Sequence, residues 1–479
     1  MEAKIKQIIE KLNIPSLQFA DVRITKTDME GIYFQNGFLR NYGSDTDSYA
    51  IGIRVLKNGC WGFAGSRNIA AANIEKLIQT AISNAVHGSK FTKEPVNFKP
   101  LSPTIAEYAF QPKINPFDMA QEEKLGFVAA LADAIKPQGK IVHSMVSAQF
   151  MRQEKYYINT EGSYSHTLVY NTLPMMMVVA SDGAQVQSRT WPGHMSAGRG
   201  GFELFYDQKF KENTERIIKE ATDLLTAPMI EDDKADIIIG NGHLALQLHE
   251  SVGHATEADR IFGMEISYAG KTFVKPQMLG NFQYGSDLVT IYSDSSDPRG
   301  MGYHPLDDEG VPGKRTDIIK DGILKDQQTS RHIAHMLGLE PSSNMKASFG
   351  DDIPLVRMTN LCLAPQKGSL DQLIADTEHG YLLDFTKTWS IDDNRNNFQF
   401  TTEIGYKIQD GKIVGIVKEP TYFGITQDFW NSCDRICGPE EWEYHGTFHC
   451  GKGEPGQAML LSHGIAPARF RKINTKVSY

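Results

Sequence analysis

Cysteine is scarce in this chain. Cys60, Cys362, Cys433, Cys437 and Cys450 are its only five in 479 residues, too few and too scattered for a disulfide framework. Long hydrophobic runs are missing as well. Nothing approaches the ~18 consecutive apolar residues that a membrane-spanning helix requires, and the longest apolar stretch, around Leu173 to Ala180, has the length of a strand. The first dozen residues carry charges throughout and contain no apolar core of the secretory-signal kind. Positive charge is in deficit, with a net charge of −9, so electrostatics favour neither nucleic acid nor an anionic membrane as a partner. These absences predict a reduced, cytoplasmic protein that binds no nucleic acid and no membrane. A hydrophobic content of 41% and a charged content of 22% are ordinary for a globular protein, and the length suffices for two or three domains. No internal repeat and no low-complexity segment is visible.

What the sequence does have is a concentration of imidazole and carboxylate between His249 and Asp259: His249, Glu250, His254, Glu257 and Asp259. Neutral imidazoles are borderline-soft nitrogen ligands for zinc, and a carboxylate that is not itself a ligand can take a proton from the attacking water. The spacing departs from His-Glu-x-x-His, whose two ligands sit roughly 40° apart on a helix turning about 100° per residue. His249 and His254 are five apart, roughly 140° around a regular helix. They share one ion only if the helix contains a π-type bulge or ends before His254. Gly253, lacking Cβ, would ease either distortion. The competing reading is a histidine-rich helix end with solvated carboxylates. A catalytic zinc usually takes three protein ligands and a water. The local candidates for the third are Glu257 and Asp259, the distant ones His445, His449 and Cys450.

Periodicity organises the rest. Ile5, Ile8, Ile9 and Leu12 share a helical face; Ala20, Val22 and Ile24 alternate as in a half-buried strand; Asn58-Gly59 provides a primed hairpin turn between Ile51–Val55 and Trp61–Phe63. Ser66 is a candidate N-cap for a helix presenting Ile74, Leu77, Ile78 and Ala81. After a loose stretch, 93–112, Asp118 is a candidate cap for a helix running to about Ile135. Strands follow at 142–150, 156–159 and 175–180, then a helix over 210–225. Met175, Met176 and Met177 read as buried strand, because Met fills core gaps readily. The charged run Glu231-Asp232-Asp233-Lys234 marks a boundary. Beyond it Ile237-Ile238-Ile239 is a buried strand leading into the His249 helix. Short strands with Asp-Gly turns at Asp321-Gly322 and Asp410-Gly411 come next, with one helix at 329–337. The expected fold class is α+β, with subdomains over 1–112, 113–230 and 231–479, the last β-rich and of barrel or sandwich type.

His249-Glu250-Ser251-Val252-Gly253-His254 resembles the His-Glu-x-x-x-His signature of the TldD/PmbA family of zinc metalloproteases. Asp307-Asp308-Glu309-Gly310-Val311-Pro312-Gly313, Arg357-Met358-Thr359-Asn360, Cys450-Gly451-Lys452 with Gly456-Gln457, and the N-terminal Gly52–Val55 and Trp61–Ala64 segments resemble further family blocks in the family's order. The resemblance implies a barrel-like C-terminal domain carrying the metal helix, Zn2+ as cofactor, and Cys450 as third ligand beside His249 and His254. A thiolate suits that role, since a metal holds it deprotonated. One departure stands nearby: Gly453-Glu454-Pro455 occupies a place where the family usually has a single residue, which leaves His449 as the fallback. The family implies action on small or poorly folded polypeptides inside an enclosed dimer, here a homodimer or a heterodimer with a motif-lacking PmbA-type subunit.

The expected activity is therefore zinc-dependent peptide hydrolysis with Glu250 as general base. The rival readings are a non-catalytic peptide-binding subunit and a hydrolase using Cys450 with His445 or His449. Cys433 and Cys437 read as free thiols, and Asp307-Asp308-Glu309 as a solvated loop or hydrogen-bonded turn. Most of Tyr422, Phe423, Phe429, Trp430, Trp442, Tyr444 and Phe448 read as core.

Overall fold

The computed structural model describes residues 1–231, 233–267, 270–453 and 455–476. Asp232 of the boundary run and Glu454 of the three-residue insertion lie outside the described residues.

Strands between residues 19 and 199 form one eight-stranded sheet. Its spine is Phe19–Gln35 between Phe38–Lys57 and Ile141–Asn159, all antiparallel, with Tyr164–Ser181 next and Ile105–Ala109 parallel to it. Asn36-Gly37 and Asn58-Gly59 turn with positive φ at both residues, 54° and 83°, then 52° and 69°, the geometry of a two-residue hairpin. Because side chains alternate along a strand, Phe19–Gln35 presents two different faces. Ala20, Val22 and Ile24 pack beneath the helices Glu2–Leu12 and Ala71–Gly88. Ile32 and Phe34, further along the same face, pack with Val128 and Leu131 of Gln121–Ala134 and Ile217 of Phe210–Leu224. The other face carries Asp21, Arg23, Thr25 and Thr27, all buried, against the C-terminal part of the chain. Two caps expected from sequence are not used. Ser66 ends a strand and its hydroxyl accepts from Asn68 N (3.0 Å), while the helix starts at Ala71. Asp118 accepts from Asn115 Nδ2 (2.7 Å), three residues ahead of a helix that begins at Gln121.

In the C-terminal part, Lys234–Ile239, His379–Ile391, Asn397–Gln409, Thr421–Ile425 and Ala468–Lys476 close into a five-stranded barrel, because His379–Ile391 pairs with both Lys234–Ile239 and Asn397–Gln409. A six-stranded sheet lies beside it, with Glu443–Lys452 at its edge and Gln457–Ile465 next. The helix Asn241–Leu248 leaves the barrel strand Lys234–Ile239 and buries Leu244, Ala245 and Leu248 in a core shared with barrel residues Phe400 and Tyr422 and sheet residues Leu361 and Leu461. Tyr422, Phe429, Trp430 and Phe448 are indeed core, and Cys433 and Cys437 are free thiols. Among the described residues no helix is long and apolar enough to cross a membrane.

The polar face of the large sheet meets the Asp307-Asp308-Glu309 turn in a buried ion network, not a solvated loop. Arg54 pairs with Asp21 (2.7 Å) and Glu309 (3.3 Å), donates to the Asp308 carbonyl (2.8 Å), and lies 4.3 Å over the Trp61 ring. Arg54→Met would leave Glu309 buried without its cation and Asp21 with Arg23 alone (2.9 Å), and breaking such a buried pair costs about 3–5 kcal/mol. Denaturant unfolding should show a loss of that size; a loss below about 1 kcal/mol would mean that the network contributes little to domain docking.

Candidate metal centre

The residues that follow Leu248 decide whether two histidines five apart can meet. His249–Gly253 is a π-helical turn, closed by the His254 N–H donating to the His249 carbonyl, and a 3₁₀ turn over His254–Thr256 continues it. Inserting the extra residue per turn brings position i+5 beneath position i. The two imidazole rings accordingly lie 4.7 Å apart, centroid to centroid, at 84°. Gly253 itself adopts ordinary right-handed helical angles, φ −54° and ψ −64°. Its glycine is required by space instead: a Cβ there would lie 2.1 Å from Met358 Sδ. The Arg-Met-Thr-Asn block is thus packed directly against the π turn.

Cys450 arrives from the edge strand Glu443–Lys452. The pairing of that strand with Gln457–Ile465 slips by one residue between Thr447 and Cys450, a β-bulge of the kind that re-aims a side chain. Phe448 packs into a cluster with Met151 and Met301, whereas Cys450, two residues on, points at the imidazoles. Its Sγ is 3.4 Å from His249 Nε2 and 3.8 Å from His254 Nε2. One donor atom from each of the three side chains lies within 4.8 Å of the others, and all three residues are buried.

Hydrogen bonds behind the rings set which nitrogen faces inward. His463 Nδ1 donates to the Leu361 carbonyl (3.0 Å), so its Nε2 is an acceptor and His249 Nδ1 donates to it (2.9 Å). His249 Nε2 is left with its lone pair toward Cys450. His254 Nδ1 donates to Glu257 Oε2 (2.9 Å) with the same result. Burial pushes His249 down to about 4 and lowers His254 as well, so both are neutral and able to ligate at neutral pH. Burial raises the Cys450 thiol, but Arg357 and His254 outweigh it and the net shift is downward. Two neutral imidazole nitrogens and a thiol biased toward thiolate are a donor set suited to zinc.

The other candidates are engaged elsewhere. Glu257 accepts from Arg260 Nε (3.0 Å) and pairs with Lys452 (3.3 Å), and Asp259 pairs with Lys452 at 2.8 Å. His445 pairs with Glu443 at 3.0 Å. His449 is exposed at the pocket wall. Glu250 does not join the donors. It lines the same pocket, about 400 Å³ in volume, with its carboxylate accepting from Arg395 Nη1 (2.6 Å) and Trp389 Nε1 (3.2 Å). Four residues close to this chemistry were not identifiable from sequence: His463, Trp389, Arg395, and His194, which reaches the pocket on a loop stitched to the edge strand by Ala197 N to Gly446 O (3.0 Å) and Gly446 N to Met195 O (3.1 Å). Each comes from a strand or turn remote in sequence, with no motif to mark it.

By class, three such donors around a pocket that also holds a glutamate outside the donor set are the equipment of a metal-dependent hydrolase. Comparison with known proteins narrows this. Models of the PmbA/TldA metallopeptidase match domain 1 at residues 20–85, the central domain at 114–227 and the C-terminal domain at 232–457, and the chain belongs to the PmbA/TldD metallopeptidase family. A protein named metalloprotease from Methanothermobacter thermautotrophicus is 29% identical over 456 residues, covering 95% of this chain and 94% of that one. A zinc metalloprotease TldD homolog from Saccharolobus solfataricus is 26% identical, covering 97% and 98%. Among solved structures, TldE from Thermococcus kodakarensis shares the fold with a TM-score of 0.73 at 15% identity, covering 99% of this chain and 100% of that one. A candidate modulator of a DNA gyrase from Thermotoga maritima does so with a TM-score of 0.78 at 19% identity over 99% and 100%.

Replacing His463 by leucine removes the acceptor that fixes the His249 tautomer, and the loss of such a partner typically weakens metal binding 10–100-fold. Competition with a chromogenic chelator measures it; unchanged affinity would rule out the relay. Acid should also unfold the metal-free protein early. Burial lowers His243 to about 3, His249 to about 4 and His304 to about 3, below the ordinary value of about 6.5. Their stabilising contribution is full above pH 6.5 and is lost as pH falls from there toward 4, because the unfolded chain takes up protons that the folded one does not. Equilibrium unfolding of the apo-protein between pH 7 and 4 checks the sign.

Proposed function

We propose that the chain is a zinc-dependent peptidase that hydrolyses small or unfolded polypeptides with Glu250 as general base. The observation that carries this reading is the convergence of His249, His254 and Cys450 on a pocket where Glu250 stands beside them without being one of the donors. An ion held by the two Nε2 atoms and Sγ would polarise the scissile carbonyl and acidify the attacking water. Glu250 takes the water's proton and returns it to the leaving amine. Arg395 and Trp389 hold the Glu250 carboxylate toward the pocket, and Arg395 brings a cation to where negative charge develops on the scissile oxygen. Trp389, 45% exposed at the rim, offers a flat apolar surface to a substrate side chain. A homodimer, or a heterodimer with a motif-lacking chain of the same family, is the assembly we propose to enclose this pocket.

Glu250→Ala should lower hydrolysis of an unfolded polypeptide by ~10²–10⁴ while metal content stays at the wild-type level, and Cys450→Ser should lose the metal itself. Chelation should abolish wild-type cleavage, with zinc restoring it. Cleavage that survives chelation but is stopped by thiol alkylation would instead assign the chemistry to Cys450 as nucleophile.

A further inference from the structure

Away from the metal centre, a cleft of about 80 Å³ lies between the polar face of the large sheet and the C-terminal part of the chain. Its floor is built by alternation: Lys155 and Gln153 from one strand, Thr167 and Asn171 from the next, and Arg199, which pairs with Asn171 across a short edge strand. Its roof includes Lys346, beside Met345 and Ala347.

The charges in this cleft do not balance. Lys155 pairs with Asp308 at 2.5 Å. Asp307 is occupied by the backbone N–H groups of Glu309, Val311 and Met345, at 2.9, 2.9 and 3.2 Å, and burial pushes its carboxyl up to about 7. Among the described residues neither Arg199 nor Lys346 has a carboxylate within ion-pair distance. Arg199 spends one N–H on the Gly300 carbonyl (3.1 Å), and its Nε and Nη1 are buried without an acceptor. Lys346 donates to the Leu460 carbonyl (3.2 Å). Burial and the neighbouring Lys155, Arg357 and Arg199 push Lys346 down to about 7, and burial lowers Arg199 to about 10. Two basic side chains without a carboxylate partner, facing one small cavity, favour an anion that joins them. An isolated water would satisfy the N–H groups but not the charge.

We propose that this cleft is an anion site, in which a compact monovalent anion bridges Arg199 and Lys346 and clamps the large sheet to the C-terminal domain. Both side chains are only partly buried, which leaves an exchange path to solvent. The volume suits a halide or a small carboxylate and excludes phosphorylated metabolites. Leu460, which receives the Lys346 bond, adjoins Met459, the register partner of Cys450, so the clamp backs onto the strand that carries the thiol.

Two measurements on the full-length protein test the proposal. Crystals soaked in bromide should show an anomalous peak between the Arg199 guanidinium and the Lys346 ammonium. In solution, replacing gluconate, too large for the cavity, by chloride or acetate at constant ionic strength should raise Tm saturably by a few degrees. The rise should vanish in Arg199→Met and Lys346→Met. A larger rise with acetate would identify a carboxylate site, and a larger rise with chloride a halide site. The absence of both a bromide peak and an acetate-dependent rise overturns the proposal even if both variants fail to fold, and so does an anion response that is the same in the variants as in the wild type.

Discussion

A single point in space must be reached by three side chains, two of them five residues apart and the third about two hundred residues downstream. The chain meets that constraint with two local irregularities. A π turn over His249–Gly253 puts one imidazole beneath the other, and a bulge between Thr447 and Cys450 turns the thiol away from Phe448 and toward the rings. Either element in its regular form would scatter the donors, by roughly 140° for the helix and to the opposite face for the strand.

These irregularities hold because what surrounds them is rigid. Met358 leaves no room for a side chain at Gly253, the Arg357 guanidinium donates to the Cys450 carbonyl at 2.5 Å, and Lys452 is buried between Glu257 and Asp259. The blocks that lie far apart in sequence are therefore one packed unit around the donors. The carboxylates next to the motif serve the His254 imidazole and the lysine, and Glu250 lines the pocket.

A second theme is the use of a charged sheet face as a domain interface. The large sheet gives its apolar side to helices and its polar side, Asp21, Arg23, Arg54 and Lys155, to the C-terminal part. Burying so many charges demands close pairing; Asp21 meets Arg23 and Arg54 within the sheet, and Asp308 and Glu309 of the turn meet Lys155 and Arg54. Where the pairing falls short, at Arg199 and Lys346, the interface gains a cavity.

Local pattern was enough to read the helix faces of Ile5–Leu12 and Ile74–Ala81, the Asn-Gly and Asp-Gly turns, the buried Ile237–Ile239 strand and the need for either a π bulge or a helix end before His254, because each depends on residues within one or two turns of each other. Ser66 and Asp118 misled as caps, since a hydroxyl or carboxylate beside a helix start can equally serve a turn. The closing of the barrel, the bulge before Cys450, the hydrogen-bond chain from His249 through His463 to the Leu361 carbonyl, and the hold of Arg395 and Trp389 on Glu250 were beyond reach of the sequence. Apart from the bulge, they join segments that lie from about 100 to more than 200 residues apart, and no periodicity or spacing along the chain encodes which remote strand will supply a hydrogen-bond acceptor. The sequence by itself brought His249, Glu250 and His254 into one short run; only the tertiary structure decided that Cys450 meets the two imidazoles, which nitrogen each imidazole offers and which carboxylates are already spent.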